Sequence, residues 1–172
     1  HGLPKDVVDQ ASALAESEDH SGKWLFKPTR ASMYPFLTYS TERDLREELY
    51  NSYIKRGDNN NERDNKNIAI EMSALRIERA KLLGYKTHAD FVLEDNMAKN
   101  TKRVNDLLDK VWEPALSRAK QEVQEMQELI DTEGGNFKFS AWDWWHYSEK
   151  IRQNKYDFTE AEVKPYFSER KV

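Results

Sequence analysis

The sequence predicts a mostly α-helical fold, a multi-helix bundle with at most one or two short strands. Three observations carry this. Apolar residues recur at steps of three and four over most of the chain. Thr-x-x-Asp and Thr-x-x-Glu starts open several of these stretches. Glycines stand where the stretches stop, the place where a left-handed residue ends a helix at least cost.

The first helix follows Pro4, whose missing N–H needs no partner in a first turn, and Val7, Val8, Ala11 and Leu14 share its face. Ser21 and Gly22 break the pattern. Trp24, Leu25 and Phe26, apolar and bounded by Gly22 and Pro28, form the best strand candidate. Thr41-x-x-Asp44 opens a second helix carrying Leu45, Leu49, Tyr53 and Ile54, which Gly57 closes before the polar loop 58–61. Ile68, Met72, Leu75 and Leu82 make one stripe that ends at Gly84, and Thr87-x-x-Asp90 starts a short helix with Phe91 and Met97 as apolar contacts.

The longest pattern runs from Thr101 to about Asp131 through Val104, Leu108, Val111, Ala115, Ala119, Val123, Met126 and Ile130. Steps of four outnumber steps of three there, so an ordinary packed helix fits better than a coiled coil. Pro114 inside it predicts a kink or a break. The turn 132–135 follows, and Phe137 to Phe139 is a second candidate for brief strand pairing. Helix returns from Trp142 to Arg152, and Thr159-x-x-Glu162 caps a last short one.

Composition narrows the function classes. The 172 residues correspond to about one ordinary domain. Lys and Arg number 27 against 31 Asp and Glu, a net charge of −4 with no basic block to neutralise a run of phosphates, which argues against nucleic-acid binding. No apolar run approaches the roughly 20 residues that cross a bilayer, and no membrane partner is expected. The absence of cysteine excludes disulfides and thiolate chemistry while leaving the compartment open. Charged residues reach 34%, above the roughly 25% of ordinary domains, yet aromatics make up 12% and argue against disorder. Such a balance suits helices with much surface and few core layers, and the chain reads as a piece of something longer.

Motifs for catalysis are missing. His1, His20, His88 and His146 are far apart, and none begins a His-Glu-x-x-His. The nearest approach to a metal pair is His146-x-x-Glu149, which by itself reads as a solvated helix surface. No Gly-x-Ser-x-Gly elbow or glycine-rich phosphate cradle occurs. The 58–61 loop lacks the glycine and closing glutamate of an EF-hand. Paired carboxylates such as Glu47-Glu48 lie in charged stretches. One cluster stands out: Trp142, Trp144, Trp145, His146 and Tyr147 surround a single helical turn with rings. Either the helix is sandwiched between layers, the preferred reading in an intact parent, or these residues form a groove wall or partner surface. No residue is assigned a catalytic or metal-binding role.

The order of landmarks nevertheless resembles a known family. Arg43-x-Leu45-Arg46 with Tyr50, Tyr53, Arg56 and Gly57, then Asp64-Asn65, Leu75-Arg76, Ala80 and Leu82-Leu83-Gly84-Tyr85, resembles zinc oligopeptidases of the thimet oligopeptidase and peptidyl-dipeptidase (dipeptidyl carboxypeptidase) family. Ala89, Phe91, Leu93 and Met97-Ala98 continue the match. Trp142-Asp143, Tyr147, Lys150, Tyr156 and Lys164-Pro165-Tyr166-Phe167 look most like the bacterial peptidyl-dipeptidase branch. The resemblance covers nearly the whole chain.

It implies a mostly helical enzyme around a deep channel that admits short peptides. A His-Glu-x-x-His helix and a later Glu would hold one zinc, with the motif Glu activating water. The peptidyl-dipeptidase branch releases dipeptides from substrate C-termini. In the family these residues lie beyond the segment matched by Lys164–Phe167, so none is carried over. Residues 1–172 are then expected to be the part of a peptidase catalytic domain N-terminal to the zinc motif, working in cytoplasm or periplasm. Its partners would be short peptide substrates and the remainder of the catalytic domain. Alone it is expected to be inactive, to bind no zinc tightly, and to self-associate or be only marginally stable. Two alternatives stay open: a stand-alone helical interaction module using the Trp142–Tyr147 surface, and a carbohydrate- or peptide-binding domain using the same rings.

Overall fold

A computed structural model describes residues 1–156, 162 and 164–167, and in these it is mostly helical with no strand. Among the described residues seven α-helices are bounded in order: α1 Lys5–Ser17, α2 Arg30–Tyr39, α3 Arg43–Ile54, α4 Lys66–Leu82, α5 His88–Leu93, α6 Thr101–Thr132 and α7 Trp144–Tyr156. Short 3₁₀ turns cover Ala141–Asp143 and Lys164–Phe167. The chain forms two compact units, residues 1–54 with the part from 123 onward, and residues 55–122.

In the first unit α2 packs on α3 and α7. Met33, Phe36, Leu37 and Leu49 form one core, joined by Leu3, Phe26, Tyr50, Tyr53 and Trp145. Met126, Ile130 and Tyr147 form another, joined by Phe137, Phe139, Trp144 and Ile151. Each fully buried aliphatic or aromatic side chain contributes about 1.5–3 kcal/mol. α7 serves both cores because neighbouring residues on a helix face different ways.

Between the cores lies an ionic node. Asp143 is fully buried. Arg43 donates to it from Nε at 3.1 Å and from Nη2 at 3.0 Å, and Arg46 donates from Nη2 at 2.9 Å. Arg46 also donates to the Ser40 carbonyl at 2.8 Å, and the Ser140 backbone N–H donates to Asp143 at 3.1 Å. The Arg43 guanidinium sits 4.2 Å over the Phe137 ring. A planar guanidinium matches a carboxylate with two parallel bonds, so the node fixes orientation as well as charge.

In the second unit α4 packs on α5. Thr87 and Asp90 form the expected capping box, each side chain accepting the other's backbone N–H at 3.1 Å. The Tyr85 ring meets Phe91 edge-on at 5.4 Å. Gly57 has φ of +73°, and an added Cβ would approach the Asn65 side chain to 2.7 Å, so glycine is required where the loop folds back.

Several expectations are corrected. Trp24–Phe26 is not a strand: no strand lies beside it among the described residues, and Leu25 instead donates its N–H to the Ala11 carbonyl of α1 at 3.0 Å. Phe137–Phe139 is not a strand either, because a side chain replaces the strand partner. The Gln127 amide donates to the Phe137 carbonyl at 3.1 Å and accepts from the Phe139 N–H at 2.7 Å. α6 continues through Pro114 as one 32-residue helix, so no break occurs. α3 begins two residues after Thr41, with the Ser40 hydroxyl accepting the Glu42 N–H at 3.3 Å. The Ile68, Met72, Leu75 and Leu82 stripe is exposed rather than core, because α4 buries only Ala80. α2 has no counterpart among the expected elements. The stretch opened by Thr159 lies outside the described residues.

Removing one partner of a buried ion pair leaves the other charge stranded at a cost of about 3–5 kcal/mol. Asp143→Ala is therefore expected to lower unfolding free energy by that amount in urea titrations. A loss under about 1 kcal/mol would show that the two arginines find water without it.

Candidate functional site

The ring-rich turn identified in the sequence is the start of α7. The 3₁₀ turn Ala141–Asp143 swings Asp143 inward, and the two arginines of α3 hold it there. With that residue anchored, helical spacing distributes the rings. Trp142 and Trp145 both approach Tyr50 of α3, at 6.3 and 6.1 Å between centroids, and Trp145 also stacks on Tyr34 of α2 at 5.4 Å. Trp144 turns the other way, edge-on to Phe139 at 6.1 Å. Tyr147 is buried in the second core. The rings thus meet layers on two sides. The buried Trp142 Nε1 and Arg46 Nε have no hydrogen-bond partner among the described residues.

His146 is buried, not solvated as its pairing with Glu149 suggested. Its Nδ1 lies 3.1 Å from the Thr38 carbonyl, which accepts only, so Nδ1 carries the proton. Burial, and then the nearby charges of Arg46 and Lys150, lower its pKa to about 4, against the smaller opposing effects of the Thr38 carbonyl and Glu133. Glu149, one turn on, accepts from Arg152 at 2.6 and 2.7 Å and from Gln153 at 2.8 Å, and the Arg152 bonds hold its carboxyl below the usual range. The two side chains therefore have separate partners. Among the described residues no group of three His, Cys, Asp or Glu could hold a metal ion. The described residues do not fit a zinc site.

Beside the half-buried Trp144 and Trp145 lies an open cleft of about 370 Å³, bounded by Tyr34, Thr38, Glu149 and Arg152. Its walls are aromatic, and its rim carries the Glu149–Arg152 ion pair. The sequence offered Trp144 and Trp145 but not Tyr34 or Thr38. Proline at 35 and a mixed polar pattern hid α2, and no local signal pairs residue 34 with residue 145.

The sequence pattern of peptidase family M3 matches residues 36–172. Oligopeptidase A of Haemophilus influenzae is 37% identical over 175 residues, covering 99% of this chain and 26% of that protein. Dipeptidyl carboxypeptidase of Escherichia coli is 30% identical, covering 96% and 24%. A probable cytosolic oligopeptidase A of Arabidopsis thaliana is 32% identical, covering 99% and 25%. The chain spans about a quarter of the length of these relatives.

The His146 pKa makes stability depend on pH in a defined sense. Its folded value of about 4 lies below the ordinary 6.5, so the unfolded chain takes up a proton first as pH falls. Stability from this residue is complete above pH 6.5 and is lost progressively toward pH 4. Urea midpoints are expected to fall over that interval more steeply for the parent chain than for His146→Gln. Equal slopes would show that His146 is protonated with little penalty.

Proposed function

The chain belongs to peptidase family M3, and from that premise we propose that it is the helical scaffold and channel-wall segment of a zinc-dependent oligopeptidase or peptidyl-dipeptidase. Residues 1–172 form part of the catalytic domain, N-terminal to a His-Glu-x-x-His motif. The intact enzyme hydrolyses short peptides and, if it works as the name dipeptidyl carboxypeptidase says of its relative, releases dipeptides from C-termini. Zinc would be held by residues outside this segment, as the family resemblance implies; among the described residues no three His, Cys, Asp or Glu lie together to hold it. The segment alone is inactive.

The observation that supports this reading most directly is the exposed apolar surface of α4. Ile68, Met72, Leu75 and Leu82 lie along one side, and Ile70 and Ile77 lie opposite, all exposed. A helix apolar on two opposite sides belongs between two layers. In the full-length enzyme the remaining three-quarters of the polypeptide would supply them. In the first unit, the cleft at Trp144 and Trp145 is offered as part of the channel wall. Trp142, His146 and Tyr147 support it from behind.

Purified chain 1–172 and the longer gene product are to be compared for zinc content and cleavage of short peptides. Chelator-sensitive hydrolysis is expected from the longer protein alone, with the segment self-associating in sedimentation. Chelator-sensitive cleavage by the pure segment would overturn the assignment. So would a gene product that ends without a zinc motif.

A further inference from the structure

We draw no further inference here: the strongest candidate, the exposed apolar surface patch that Leu107, Leu108, Val111 and Trp112 form along the N-terminal half of α6, carries nothing because nothing in the structure shows what covers it.

Discussion

Everything in the first unit depends on one carboxylate. Asp143 has no access to water and is neutralised by two guanidiniums from consecutive turns of α3, 100 and 97 residues earlier in the chain. Such a node gives little net stability compared with a hydrophobic substitute, because desolvation offsets most of the attraction. What it gives is uniqueness. A half-turn rotation of α7 would bury an unpaired charge, so the position of every ring from Trp142 to Tyr147 follows from where Asp143 must sit.

That constraint explains how so many aromatics fit one turn. With Asp143 facing α3, Trp142 and Trp145 fall against Tyr50, while Trp144 falls against Phe139 and Tyr147 enters the second core. His146 is carried inward and finds the Thr38 carbonyl. A single ionic contact therefore sorts polar and apolar neighbours without any loop or insertion.

The second unit shows the opposite situation. Its helices are well formed, and α5 is capped by Thr87, yet α4 buries only Ala80, and α6 exposes Leu107, Leu108, Val111 and Trp112. Secondary structure needs only local hydrogen bonds, whereas burial needs a neighbour. The relatives the chain matches are about four times as long, and under the proposed reading the rest of such a protein would cover these faces.

Local chemistry determined much of this protein from its sequence. The helices around Leu45–Ile54, Ile68–Leu82 and Val104–Ile130, the capping box at Thr87 and the turn at Gly57 are legible because each depends on residues within four or five positions. Family membership is legible because ordered landmarks survive in sequence even where their contacts cannot be seen. The strand-like reading of Trp24–Phe26 and Phe137–Phe139 failed for a common reason: the backbone partners are α1 and the Gln127 side chain, both distant in sequence. Only the tertiary structure decided that α2 exists as a core element, that His146 is buried and neutral, and that Arg43 and Arg46 meet Asp143. A charge–charge contact across 100 residues leaves no periodic trace in the sequence. Its partners are chosen by the packing that closes that loop.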